Sequence, residues 1–72
     1  MSHTPRLLDV VVLTVDLPER QLVRGQVGTI VELLDDNAYE VEFSDDQGRT
    51  YASLALRQAQ FMVLHHRPLM VA

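Results

Sequence analysis

Between Tyr39 and Phe43 the chain reads YEVEF, alternating apolar and acidic positions without a break, whereas DVVVLTV, from Asp9 to Val15, is apolar or β-branched almost throughout. The first pattern has the period of a half-buried strand, with Tyr39, Val41 and Phe43 on the core side and Glu40 and Glu42 toward water. The second predicts a strand near the centre of a small sheet, covered on both faces. A further strand is expected from about Gly28 to Leu34, and Asp35-Asp36-Asn37 turns it into the alternating segment. Ser44-Asp45-Asp46-Gln47-Gly48 is a second hairpin turn, with Gly48 supplying a positive φ before a strand over Arg49 to Leu54. Ala55 to Gln60 suits one helical or 3₁₀ turn, and Phe61 to Leu64 a fifth short strand. No window sustains a helical period.

The remaining long connection follows the first strand. Pro18 prevents Asp16-Leu17-Pro18-Glu19 from continuing as a central strand, and Leu22 and Val23 are expected to anchor the segment inward. Taken in order, these elements predict an all-β fold: a small five-stranded SH3-like barrel, partly open, with a short helical turn before the last strand. One domain spans residues 1–72, with its core at about 7–64 and a C-terminal tail at 65–72. The expected core is Val10, Val12, Leu22, Val27, Val31, Val41, Phe43, Ala52, Leu54 and Met62.

Gly25-Gln26-Val27-Gly28 admits two readings, a clamp on a phosphate backbone or a bend in a tightly coiled sheet. In the RNA-binding module that uses such a loop, the loop joins helices, and a phosphate-binding P-loop needs a lysine that this chain lacks. The bend is the better account: Gly25 for a dihedral that a Cβ opposes, Gly28 for a strand passing close to another backbone.

The blocks LLDVVVLTVDLPE, LVRGQVGTIVELL, AYEVEFSDDQGRTYASLAL and QFMVL, from Leu7 to Leu64, together resemble the small, mostly bacterial family filed as domain of unknown function 4926. The resemblance implies an SH3-like barrel and brings no established catalytic residues with it. It also implies stand-alone small proteins, some encoded beside a toxin-like partner, and hence a protein-binding or antitoxin role. The closing HHRPLMVA lies beyond the shared pattern.

Composition narrows the functions available. At 72 residues a chain buries only about 60% of its unfolded surface, so a deep catalytic cleft is hard to build. No cysteine is present, which removes disulfides, thiolate metal sites and cysteine nucleophiles together. The N-terminus lacks the features of a signal peptide and no stretch approaches a membrane span, so a cytoplasmic protein is expected. Ten acidic residues against six basic ones leave a formal charge of −4, which opposes binding to nucleic acid or anionic lipid. All six basic residues are arginine, which reads as compositional bias.

Candidate chemistry is sparse. Asp35, Asp36, Glu40, Glu42, Asp45 and Asp46 fall within one predicted hairpin with no basic residue between them, and are candidates for docking a basic partner, an arrangement that speeds association more than it tightens it. The bland alternative is a solvated hairpin. Glu40 and Glu42 are poor catalytic acids or bases on a hydrated face. Adjacent His65 and His66 point to opposite sides of a strand and cannot share a metal in ordinary geometry, and His3 is remote. Thr14, Ser44, Thr50 and Ser53 have no plausible base beside them. Tyr39 and Tyr51 fit either the core or an aromatic patch for a proline-rich peptide. Leu69 and Met70, following Pro68, have no evident core position: the tail either folds back along its own barrel or makes Leu69 and Met70 candidate contacts to a partner or to a second copy.

The expectation is therefore a non-enzymatic protein-interaction module, of antitoxin or immunity type, existing as a monomer or weak homo-oligomer without catalytic residues, metal or cofactor. The alternatives are a nucleic-acid or ribosome-associated barrel and an accessory subunit of a larger enzyme or redox complex.

Overall fold

A computed structural model describes residues 4–66 and Pro68. Five strands, β1 (Val10–Leu13), β2 (Val27–Leu33), β3 (Ala38–Ser44), β4 (Thr50–Arg57) and β5 (Phe61–Val63), form one antiparallel sheet in the order β4-β3-β2-β1-β5. The sheet does not close, leaving β4 and β5 as its edges. This is the all-β, partly open barrel expected from the chain, and its strand order is compatible with an SH3-like arrangement. No helix among the described residues is long and apolar enough to cross a membrane.

The turns follow from local chemistry. In the long β1–β2 connection Pro18 opens a 3₁₀ turn, Pro18–Arg20, whose end is set by Gln21 at φ 58°. Leu17 and Leu22 then exchange backbone hydrogen bonds of 2.8 and 3.1 Å, and Asp16 Oδ1 accepts the Arg24 N–H at 2.8 Å. That clasp folds the connection back and seats Leu22 fully inside the core. Asp36 and Asn37, at φ 62° and 59°, turn β2 into β3; two successive positive φ values suit the right-handed twist of a tight hairpin, and short polar side chains tolerate them. At the β3–β4 turn, Asp45 Oδ1 accepts the N–H groups of Gln47 and Arg49, both at 2.9 Å, while Gly48 takes φ 82°. The second 3₁₀ turn, Gln58–Gln60, is held by Gln60 Oε1 accepting the Arg57 N–H at 2.8 Å.

Val11, Leu13, Leu22, Ile30, Tyr39, Val41, Phe43, Leu54, Leu56 and Phe61 form the core, with Leu17, Ala52 and Val63 packed against it. Tyr39 and Phe61 meet edge-on, 5.5 Å between ring centres. Leu22, Val41, Phe43 and Leu54 are inside as expected. Val10, Val12, Val27, Val31 and Met62 are not, and neither is Val23: β1, β2 and β5 present the opposite parity. The physical reason lies in the register. Val11 pairs with Gly28 and Val63, and Leu13 with Phe61, so the odd-numbered residues of β1 point inward. In β2 the inward residues are Gly28 and Ile30, and an irregularity at Val31 shifts the pairing from Ile30 opposite Val41 to Glu32 opposite Glu40. A strand apolar at every position carries no parity signal.

The boundaries move too. β1 is shorter than Asp9 to Val15, whereas β4 runs on through Arg57 and leaves only Gln58–Gln60 for the turn. Both glycines of the Gly25–Gly28 motif serve the fold. Gly25 sits at φ 99° and donates to the Leu13 carbonyl at 2.8 Å. Gly28 is buried, and a Cβ there would lie 2.7 Å from Val41 Cγ1 and 3.0 Å from the Glu42 carbonyl oxygen.

Candidate partner-binding face

The parity that fills the core also decides what the outer face displays, because every strand sends alternate residues to it. Reading across the strands by register, Met62 of β5 lies beside Val12 of β1, which lies beside Val27 of β2. The next row carries Val10, Thr29, Glu42 and Ser53, and beyond it Glu32 faces Glu40, which faces Ala55. Met62 is 55% exposed and Val27 47%, with Val12 half-buried between them, so both ends of this apolar row stand in solvent. Val31, at the β2 irregularity, adds a further exposed apolar residue. One half of the face is thus apolar and the other carries three carboxylates.

Ser53 Oγ donates to Glu40 Oε2 at 2.7 Å, which fixes that carboxylate within the face. Among the described residues no arginine forms an ion pair with Glu32, Glu40 or Glu42; Arg49 instead pairs with Asp45, Nε to Oδ2 at 3.5 Å. Arg20 donates to the Ser53 carbonyl at 3.3 Å and Arg57 to that of Asp36. These two guanidinium groups are engaged by backbone oxygens.

The six acidic candidates do not make a single patch. Asp35 and Asp36 sit at one end of β3, in the turn from β2, and Asp45 and Asp46 at the other, separated by a seven-residue strand of roughly 20 Å. Only Glu40 and Glu42 share the outer face. Asp45 is occupied in building its own turn. Glu32, absent from the expected set, joins Glu40 across the β2–β3 register; nothing local in the sequence marks it, since the pairing depends on the irregularity at Val31. Leu69 and Met70 lie outside the described residues, as does His3.

The other candidates separate in the same way. Tyr39 is buried in the core, while Tyr51 is half-exposed, 6.4 Å from the Phe43 ring centre, with its hydroxyl accepting from Gln26 Nε2 at 3.1 Å; the two do not share a patch. Ser44 and Thr50 hydroxyls lie 3.4 Å apart across the β3–β4 hairpin and face each other, whereas Ser53, against expectation, has the Glu40 carboxylate beside it across β3 and β4. A recess of about 240 Å³ opens beside the β5 edge, lined by Pro5, Gln58, Phe61, Met62, Val63 and His65. Among the described residues His65 is the one titratable side chain lining it. No cluster of three or more metal-ligating side chains occurs among the described residues.

A family model described as "Domain of unknown function (DUF4926)" matches residues 7–63. No curated protein and no solved structure matches the chain.

Proposed function

The chain belongs to the family described as a domain of unknown function (DUF4926), and from its surface we propose that it is a non-enzymatic protein-interaction module that binds through the outer face of its sheet. The observation that supports this reading most directly is the apolar row Met62, Val12, Val27, exposed at both ends and half-buried at Val12, on a sheet face that also carries Glu32, Glu40 and Glu42. Scattered exposed apolar residues need no explanation, but side chains aligned across three neighbouring strands form a continuous surface that association would remove from water. Antitoxin or immunity action is the case of this reading in which the bound protein is toxin-like and is inhibited by being covered. The carboxylates weigh against a nucleic-acid partner, whose phosphates they would repel.

The test is co-purification from the native cells, comparing the wild-type chain with a Val27→Ser, Met62→Ser double variant. Both side chains are exposed, so the variant should fold normally, and an unchanged melting curve verifies that. A stoichiometric protein partner retained by the wild type and lost by the variant supports the proposal. A partner held equally by both, or nucleic acid in place of protein, refutes it.

A further inference from the structure

Resting on that reading, we infer that the occupant of the outer face is a basic amphipathic helix of a partner protein, its apolar stripe on Met62, Val12 and Val27 and its basic flank toward Glu42, Glu40 and Glu32. The apolar row runs across the strands from β5 through β1 to β2, a span of two inter-strand spacings, or about 10 Å. A helix laid along the row presents residues i, i+3 or i+4, and i+7 on one side, and seven residues rise about 10.5 Å. The two lengths match, so three successive apolar positions of a helix register with the three apolar side chains.

The carboxylates give the seat a direction. Glu42, on β3, lies one row away and one strand beyond Val27, and Glu32 and Glu40 lie a row further, all on the same side of the apolar row and at its β2 end. Successive rows are two residues apart along a strand, about 7 Å, so Glu42 stands one row and Glu32 and Glu40 two rows, about 14 Å, from the apolar row. A lysine or arginine stem spans the first of these while its carbons lie on the face, and one projecting from the flank of a helix about 10 Å across extends toward the second. A helix with cations on that flank, toward its β2 end, therefore faces the carboxylates, which have no ion-paired arginine among the described residues. A second copy of this chain fits less well. Each copy carries a formal charge of −4, and stacking two such faces brings like charges together.

The inference is tested with synthetic helices of about five turns and the intact protein, by fluorescence anisotropy over a range of salt concentrations. The first peptide carries leucines at i, i+3, i+4 and i+7 spacing with lysines along one flank. The second replaces its lysines by glutamates, and the third replaces its leucines by alanines. The first should bind at least about tenfold more tightly than either control, and its affinity should fall as salt rises. A Glu40→Gln, Glu42→Gln variant, whose new side-chain carbonyl at the first position can still accept from Ser53, should weaken binding about tenfold and flatten the salt dependence.

The Val27→Ser, Met62→Ser variant should lose binding altogether. If the glutamine variant binds as the wild type does while the serine variant loses binding, the basic partner is refuted and the docking face survives. If the serine variant binds normally, the face itself is wrong. Failure of the lysine peptide to bind, or equal binding by the alanine control, also overturns the inference.

Discussion

Adding one methyl group at Gly28 probes a close approach between β2 and β3. The new Cβ would lie 2.7 Å from Val41 Cγ1, 3.0 Å from the Glu42 carbonyl oxygen and 3.1 Å from Phe43 Cδ2. Carbon atoms pack at about 3.5–4.0 Å, so the intrusion on Val41 is roughly 1 Å. Neither Val41 nor Phe43 has exposed surface into which to move, and the Glu42 contact is backbone. Overpacking of this kind costs about 1–3 kcal/mol, and the rigid surroundings put Gly28→Ala at the upper end. Loss of glycine's freedom in the unfolded chain offsets roughly 0.4–1 kcal/mol, leaving a net cost of about 2 kcal/mol.

For a domain of this size that lowers Tm by roughly 8–16 °C, read by circular dichroism during heating and checked by urea titration. A double-mutant cycle then isolates the cause. Val41→Ala removes the atom that is struck, so combining it with Gly28→Ala should destabilise less than the sum of the single changes by about 1 kcal/mol. The same cycle with Gly25→Ala should be additive, because a Cβ at Gly25 meets nothing within 4 Å and suffers only from its φ of 99°. Additivity at Gly28, or a variant as stable as the wild type, would refute the close-packing argument.

Phe43→Ala should cost about 3–5 kcal/mol, since the ring is wholly buried; a melting shift of only a degree or two would remove Phe43 from the core. Val11→Ser should destabilise severely and Val12→Ser clearly less, because Val11 is wholly buried and Val12 half-buried on the opposite side of β1; equal effects by thermal melting would mean that the register is wrong. Asp45→Ala should lose about 1–2 kcal/mol with the two backbone N–H groups its carboxylate holds, and a urea midpoint unchanged from wild type would contradict that role. Filter binding at physiological salt should detect no submicromolar affinity for RNA or duplex DNA, given the acidic balance of the chain; retention at that level would count against a purely protein partner.

What the chain determined by itself is whatever a few neighbouring residues decide together. The alternation from Tyr39 to Phe43 assigns β3 its inward and outward faces because each apolar residue is flanked by an acidic or turn-forming one. The turns at Asp36-Asn37 and Gly48 are equally local, since a positive φ is chosen by the residues that adopt it. Those signals were enough for the number of strands, their order along the chain and the fold class.

Parity in β1 and β2 was beyond them. Val10, Val11 and Val12 are chemically identical, the inward residue at the start of β2 is a glycine, and the irregularity at Val31 moves the count by one. Only pairing with distant partners separates these positions: Val12 is set outward beside Met62, far along the chain, and Glu32 reaches Glu40 across a hairpin. The candidate docking face is assembled from such pairings, so tertiary structure decided it. Burial, once register is chosen, claims one side of every strand, and the partner-binding surface is what the same choice leaves on the other.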